Sequence, residues 1–165
     1  MNIRLVKMTK PLCREFQKNF EHDPMLFADM SRYRPFIYDE EACDAYVERY
    51  VALGRVHFAI MLGDKPIGEL ILKNIDYHNQ CCELGICLQN DQYKNKGYGT
   101  QAEKLGLNFA FQDMQMKTVF ADVIHKNLRS QHVLEKIGFV KTHTSDMFIH
   151  YRLDKEQWFF RSLSD

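Results

Sequence analysis

The most informative stretch of this chain is Tyr93-Lys94-Asn95-Lys96-Gly97-Tyr98-Gly99-Thr100-Gln101. It lies between an apolar, strand-like run at 83–89 and a helix-like run that follows it. Gly97 and Gly99 permit backbone conformations and a close approach that a Cβ atom would block. Free N–H groups and the positive end of the next helix dipole can then hold a phosphate or pyrophosphate, and Lys94 and Lys96 would add mobile positive charge. The loop therefore predicts a site for a phosphorylated ligand.

Two common phosphate loops do not fit this stretch. A Walker A loop requires Gly-Lys-Ser/Thr after its last glycine, whereas Gly99 is followed by Thr100-Gln101. A dinucleotide fingerprint tolerates Ala102 at its third small position, but such loops usually stand near the start of their domain. The alternative is that Gly97 and Gly99 form nothing more than a strand-to-helix turn, and the glycine pair alone does not separate these two interpretations.

A second motif lies further along the chain, Asn127-Leu128-Arg129-Ser130 followed by Glu135-Lys136-Ile137-Gly138-Phe139. Together with Lys94-Asn95-Lys96-Gly97-Tyr98-Gly99 and with Glu83-Leu84-Gly85-Ile86, it resembles the GNAT superfamily of acyl-CoA-dependent N-acetyltransferases. The first motif matches the family's Gln/Arg-x-x-Gly-x-Gly/Ala signature with lysine at the first position. The similarity is greatest to the branch of ribosomal-protein N-terminal and polyamine acetyltransferases, and it covers the chain from about Ile3 to Leu153.

The composition agrees with one domain over residues 1–165. Lys plus Arg and Asp plus Glu both number 22, so no net charge favours nucleic acid or an anionic membrane. No apolar run approaches the roughly 20 residues of a membrane span, and the start lacks a signal peptide's apolar segment. The five cysteines are odd in number and form no Cys-x-x-Cys pair, which favours free thiols in a reducing, cytoplasmic setting without a metal site. A homodimer is left open.

The order of predicted elements is that of an α/β protein. Strands are predicted at 3–8, 55–62, 67–75, 81–89 and 117–124, with two more between 139 and 153. One helix is predicted to begin at Thr9 and another to end at Gly138. A helix over about 39–52 would carry Ala42, Ala45, Tyr46 and Arg49 on a shared face. The helix after the glycine loop would have an apolar stripe of Ala102, Leu105 and Phe109. The resemblance implies a GNAT fold, a mixed twisted central sheet of about seven strands with helices on both faces.

The resemblance also implies where acetyl-CoA binds. In the family the fourth and fifth strands separate and the acyl-pantetheine arm lies between them, here between 83–89 and 117–124. Backbone groups near Cys87, Leu88 and Gln89 would bond the pantetheine amides, and the Asn127 side chain would bond the arm. Lys126 or Arg129 would meet the ribose phosphate. The pyrophosphate would be held by the glycine loop with its two lysines, which comprises Lys94, Asn95, Lys96, Gly97, Tyr98, Gly99 and Thr100.

The implied chemistry is direct transfer of an acetyl group from sulfur to a primary amine, which needs a base for the amine and an acid for the thiolate. Glu83 is the candidate base, and its alternative is an ion-paired strand residue. Ser130 is the candidate acid, and its alternative is a helix residue that bonds an earlier carbonyl. Many family members carry a proton-donating tyrosine where this chain has Leu134, so the role of that tyrosine cannot be assigned to this position. His125 and Tyr151 are further candidates that could face the gap.

The acceptor amine is not specified by the sequence. Acidic side chains that could attract a cationic amine, or could equally form a solvated face, are Glu21, Asp23, Asp29, Asp39, Glu40 and Glu41. A protein N-terminus, a polyamine and a small-molecule amine all fit. The second functional interpretation is a catalytically silent acyl-CoA sensor on the same fold, which Leu134 favours. A third, a different nucleotide-binding enzyme, predicts a preference for NAD or ATP over CoA.

Overall fold

The central feature of the fold is a sheet of seven strands. The structure is a computed structural model, and it describes residues 3–27 and 29–162. In chain order the strands are β1 (Ile3–Lys7), β2 (Val56–Leu62), β3 (Lys65–Asp76), β4 (Cys81–Leu88), β5 (Thr118–Ile124), β6 (Val140–Thr144) and β7 (Phe148–Asp154). The α-helices of this described part are α1 (Lys10–Gln17), α2 (Glu40–Ala52), α3 (Tyr98–Asn108), α4 (Leu128–Ile137) and α5 (Lys155–Ser162). The predicted α/β fold class is confirmed.

The strands lie in the order β1-β2-β3-β4-β5-β7-β6. β4 and β5 pair in parallel, whereas the other neighbouring strands pair antiparallel. A parallel pair requires a crossover connection, and α3 supplies it between the end of β4 and the start of β5. Because β4 and β5 run in the same direction, α3 and α4 both begin at the same edge of the sheet.

One face of the sheet is covered by α1 and α2. Thr9 caps α1 by accepting a hydrogen bond from the Leu12 N–H group, and Asp39 caps α2 through the Ala42 N–H group. Cys13 of α1, with Cys43 and Val47 of α2, packs against Ala59 and Met61 of β2. The predicted shared face of α2 lies mainly towards solvent, because Ala42, Ala45 and Arg49 are exposed and Tyr46 is half-buried, while Cys43, Val47 and Tyr50 are buried.

The other face is covered by α3 and α4. Leu107 of α3 and Leu134 of α4 join Ile60, Leu70 and Leu72 of the sheet in one buried cluster. Gly106 allows the close approach of α3, because a Cβ atom there would lie 2.8 Å from Cδ1 of Leu70. The predicted stripe of α3 was wrong at Leu105, which is 38% exposed. The buried side of this helix carries Ala102, Glu103, Gly106 and Leu107 instead.

Two elements of the C-terminal half were not predicted. The chain continues from α3 into a π-helical turn at Phe109–Asp113, and α5 follows β7. Among the helices of the described residues, none combines the length and the apolar composition needed to cross a bilayer.

Candidate functional site

A cleft begins where β4 and β5 separate. The two strands share three register pairs, Cys81–Thr118, Cys82–Val119 and Glu83–Phe120. Beyond these, β4 continues to Leu88 and β5 to Ile124 with no further pairing between them in this fully described part of the chain. β5 stays paired with β7 along its whole length. The predicted gap therefore exists and starts after Glu83 and Phe120.

The N-terminus of α3 opens at the mouth of this cleft. Gly97 is the N-cap residue, has φ +80°, and offers no side chain to the helix amides. Gln101 donates its N–H to the Gly97 carbonyl, so the N–H groups of Tyr98, Gly99 and Thr100 lie before the first intrahelical bond. A Cβ atom at Gly97 would meet no heavy atom of the described chain within 4 Å. Free amides at a helix N-terminus can bind an anion, so the anion-binding role of this loop stays a prediction with suitable geometry.

Lys94 is held in an ion-pair network and is not a mobile charge. Its Nζ lies 2.6 Å from Oδ2 of Asp23 and 2.7 Å from Oδ1 of Asp91, and its side chain is 11% exposed. Burial opposes the charged form, but the hydrogen bonds that Lys94 donates to Asp23 and Asp91 prevail and raise the pKa of Lys94 above 10.5. Arg129 places Nη1 3.7 Å from the same Asp23 oxygen. Asp23 thus joins the α1–α2 connection to the glycine loop and to α4.

The N-terminus of α4 closes the opposite wall. Asn127 Oδ1 accepts a hydrogen bond from the Ser130 N–H group at 3.2 Å, which caps the helix. The Nδ2 group of Asn127 remains as a donor, so the predicted bond to a pantetheine arm depends on that group. The Ser130 hydroxyl has no hydrogen-bond partner among the described residues, and both side chains line the cleft.

These elements enclose about 600 Å³ of space, part of which is open to solvent. One end carries the charged network and the α3 amides, and the rest is walled mainly by aliphatic side chains. Such a division suits a ligand with an anionic head and a long, mostly apolar arm. The lining residues are Asp23, Leu26, Ile86, Cys87, Leu88, Lys94, Gly99, Glu103, Asn127, Arg129, Ser130 and Val133.

Glu103 is a cleft residue that the sequence analysis missed. It is 2% exposed, and its Oε2 atom is buried without a hydrogen-bond partner among residues 3–27 and 29–162. Burial raises the pKa of its carboxyl to about 8. The signal that could have found it is its spacing of four residues from Gly99, because residues i and i+4 share one face of a helix.

The structure places Glu83 outside this cleft. Its Oε1 atom lies 2.8 Å from Lys73 Nζ, and its Oε2 atom accepts a hydrogen bond from Asn74 at 2.7 Å. It lines a second cavity at the point where β4 and β5 separate. Glu83 therefore forms the ion pair expected of a structural strand residue, and its role as the catalytic base stays a prediction.

The second cavity also contains a hydrogen-bonded chain that the sequence did not reveal. His150 Nδ1 lies 2.7 Å from Oδ1 of Asp122, and its Nε2 lies 3.1 Å from the Ser145 hydroxyl. The His150 ring stacks on His143 with the centroids 4.1 Å apart. Asp122 and His150 are register partners of β5 and β7, so only the strand pairing brings them together.

Several other predicted positions have defined neighbours. Gln89, the residue after β4, donates its N–H to the Ile67 carbonyl, and its own carbonyl accepts from the Glu21 N–H group. These backbone groups are therefore occupied, whereas Cys87 and Leu88 line the cleft. Tyr151 donates its hydroxyl to Glu135 at 3.0 Å, and its pKa is raised to about 12 by burial and this bond.

Neither the Leu134 position nor His125 supplies an acid to the cleft. Leu134 is buried in the core, 2% exposed, and His125 Nε2 lies 2.8 Å from the Ser145 carbonyl. Lys126 is half-buried and is not part of the cleft lining. Arg129 is, so of the two candidates for the ribose phosphate it is the better placed.

The acidic side chains proposed for an acceptor are mostly engaged locally. Asp29 caps a short turn through the Ser31 N–H group and Asp39 caps α2. Glu40 pairs with Arg14 at 2.8 Å, and Asp23 with Lys94. Glu21 and Glu41 are exposed. Within the described ranges, no three His, Cys, Asp or Glu side chains are grouped so that they could hold a metal ion.

Comparison with known proteins identifies a family. The family description "Acetyltransferase (GNAT) domain" matches residues 13–140, well over half of the chain. An uncharacterised N-acetyltransferase of Bacillus subtilis strain 168, YnaD, is 27% identical over 104 residues, which are 62% of this chain and 60% of YnaD. The chain thus spans less than two thirds of the length of that relative.

Two further proteins are similar to this chain. A candidate ribosomal N-acetyltransferase of the same bacterium, YdaF, is 23% identical over 131 residues, covering 73% of this chain and 71% of YdaF. A chimera of the spermidine N-acetyltransferase SpeG from Vibrio cholerae superposes with a TM-score of 0.77 at 15% identity, covering 96% of this chain and 99% of that one. At that identity the second likeness concerns the fold alone. Names of this kind do not favour the sensor interpretation.

Proposed function

This chain belongs to the GNAT acetyltransferase family, and from that premise we propose that it transfers an acetyl group from acetyl-CoA directly to a primary amine. The observation that carries the proposal is the cleft between β4 and β5, which has an uncapped helix N-terminus at its mouth. The family uses acetyl-CoA, and this cleft has the two environments that such a co-substrate requires.

The residues present fit that co-substrate. The free N–H groups of Tyr98, Gly99 and Thr100 would hold the pyrophosphate, with Asn95, Lys96 and Gly97 forming the turn before them. Lys94 and Arg129 supply positive charge beside it. The aliphatic walls at Ile86, Leu88 and Val133 would cover the arm, and Asn127 Nδ2 would donate to it.

Two side chains are proposed to move protons. As acetyl transfer breaks a carbon–sulfur bond and forms a carbon–nitrogen bond, the amine loses a proton and the departing sulfur gains one. Glu83, at the end of the strand gap, would accept the first proton, directly or through water. Ser130, whose hydroxyl is unengaged in the described chain, would donate the second. Alignment of the two reactants in the gap would contribute much of the acceleration.

The acceptor is proposed to approach through the second cavity. That cavity begins at Glu83, where the gap ends, and carries Asp122 as a second carboxylate. Two carboxylates would attract an ammonium group, and the neighbouring His150 is a further proton acceptor. A protein N-terminus, a polyamine and a small amine all satisfy this chemistry. A cytoplasmic location agrees with the free cysteines.

The test begins with calorimetric titration of the purified protein with acetyl-CoA, with NAD and ATP as controls. A micromolar dissociation constant, on the order of −8 kcal/mol, is expected for acetyl-CoA alone. Acetylation of a panel of peptide N-termini, polyamines and small amines then follows. Absence of binding at millimolar acetyl-CoA, in protein shown to be folded, would end the proposal. Binding without turnover on any amine would favour a sensor.

A further inference from the structure

The carboxyl group of Glu103 has no structural reason to be where it is. It sits on the buried side of α3, where its buried neighbours in the helix are Ala102, Gly106 and Leu107. Its Oε2 atom is buried and has no hydrogen-bond partner in the described chain. An unpaired buried carboxyl destabilises a fold by about 1–3 kcal/mol, so a compensating use is expected.

The cleft provides that use. Glu103 lines the cleft together with Gly99, which precedes it by four residues on the same face of α3. Four residues advance about 6 Å along a helix, so Glu103 lies one turn inward from the amides that would hold the pyrophosphate. It therefore faces the part of an extended ligand that comes directly after its anionic head.

The protonation state of Glu103 follows from its surroundings. The other ionisable side chains facing the cleft are Asp23 from the α1–α2 connection, Cys87 from β4, Lys94 from the glycine loop and Arg129 from α4. Both cations are already paired with Asp23, so neither neutralises Glu103. Burial is the single cause of its raised pKa, about 8, and the group is therefore mainly a neutral acid at pH 7.

A neutral carboxyl group has the hydrogen-bonding pattern of an amide partner. Its O–H can donate to an amide C=O, which a carboxylate cannot do, and its C=O can accept from an N–H group. Because the C=O and N–H of a trans amide point in opposite directions, one carboxyl group meets one of them at a time. The pantetheine arm of CoA carries amide groups after the pyrophosphate. We propose that Glu103, in its protonated form, binds the amide-bearing arm of acyl-CoA and makes co-substrate affinity fall as the pH rises. This inference rests on the proposed function.

The experiment is calorimetry of acetyl-CoA binding at pH 7 and pH 9 with the wild type, Glu103→Gln and Glu103→Leu. With a carboxyl pKa of about 8, wild-type affinity should fall about tenfold between these pH values as the neutral form is depleted. The pKa of Cys87 is raised to about 12, that of Lys94 is raised and that of Asp23 is lowered, so these groups do not titrate in this interval. Glu103→Gln keeps a donor and an acceptor, and it should bind at both pH values with an affinity near the wild-type value at pH 7.

Glu103→Leu separates the inference from a packing effect. It should bind acetyl-CoA about tenfold more weakly than the wild type at pH 7, although its thermal stability should be equal or higher. The matched ligand is 3′-phospho-ADP, which carries the anionic head of CoA without the arm. Its affinity should be the same for all three proteins and should show no Glu103-dependent change with pH.

Three outcomes would overturn the inference. The first is equal acetyl-CoA affinity of Glu103→Leu and the wild type at pH 7. The second is a pH dependence that persists in Glu103→Gln, and the third is a pH dependence that appears equally with 3′-phospho-ADP. In each of these cases acetyl-CoA still binds, so the proposed function survives. Failure of every folded variant to bind acetyl-CoA would overturn both.

Discussion

Helices α3 and α4 begin at the same edge of the sheet, on either side of one cleft, yet their first turns differ. α3 begins at Gly97, which has no side chain to cap it, and the next three N–H groups have no partner in the described chain. α4 begins at Asn127, whose side chain satisfies the Ser130 N–H group. The first turn of α3 therefore keeps three free N–H groups, whereas the first turn of α4 has a side-chain cap.

The difference shows how one cleft can obtain charge recognition and rigidity from the same structural element. An uncapped helix start is unfavourable in isolation, because its amides lack partners, but those amides form an anion site. A capped start is stable by itself and can hold side chains such as Ser130 in fixed positions. Substitutions at these two helix starts and at the side chains around them test this difference between α3 and α4.

Gly97→Val should weaken acetyl-CoA binding by about 100-fold or more, which corresponds to at least about 2.7 kcal/mol. A β-branched residue cannot easily adopt φ +80°, and its side chain would stand at the N-cap of α3, directly before the amides proposed to bind the pyrophosphate. Calorimetry measures the effect. The matched control is Gly54→Val, because Gly54 has φ +65° with similarly clear surroundings and lies away from the cleft. Equal losses of affinity in both variants would show that strain alone is responsible.

Ser130→Ala and Glu83→Gln should each lower kcat by about 100-fold while leaving the dissociation constant of acetyl-CoA within about twofold. Neither change removes a helix cap, because the Ser130 backbone N–H still donates its hydrogen bond to Asn127 Oδ1. Steady-state kinetics on the best amine of the panel provides the measurement. Full activity of Glu83→Gln combined with loss of activity in His150→Gln would transfer the role of the base to His150.

Asn127→Asp should lower acetyl-CoA affinity about fivefold and leave thermal stability unchanged, because aspartate caps a helix as well as asparagine does but cannot donate a hydrogen bond. Asn127→Ala removes both functions and should also destabilise the fold by about 1 kcal/mol, a decrease in Tm of about 2–4 °C. Calorimetry and thermal unfolding distinguish the two effects. Unchanged affinity in Asn127→Asp would confine Asn127 to capping.

Asp23→Asn should tighten acetyl-CoA binding about two- to threefold at low salt, because Lys94 and Arg129 lose a competing carboxylate. Burial alone would raise the pKa of Asp23, but the bonds from Lys94 and from the Met25 N–H group prevail and lower it. The stabilisation from Asp23 is thus present above its ordinary pKa of 3.8 and is lost as the pH falls through the lower folded value. Acid unfolding should therefore be less steep in the variant. Weaker binding of acetyl-CoA would show instead that Asp23 orients the cations productively.

Local patterns predicted a large part of this protein correctly. The glycine loop, the succession of strands and helices along the chain and the helix that ends at Gly138 follow from turn chemistry and periodicity, which act over a few residues. The side of α3 that faces the core was not obtained, because Leu105 has the apolar character and Glu103 does not. That error concealed Glu103, whose burial is set by the packing of α3 against the sheet.

Residues near one another along the chain were enough to predict the α/β order, the family and an anion loop, of which the first two are confirmed. Tertiary structure alone decided that Asp23 holds Lys94, that Asp122 meets His150, and that Glu83 and Ser130 line different cavities. The Asp23–Lys94 pair spans 71 residues and the Asp122–His150 pair spans 28. Contacts over such separations depend on strand register and helix docking, which no local pattern specifies.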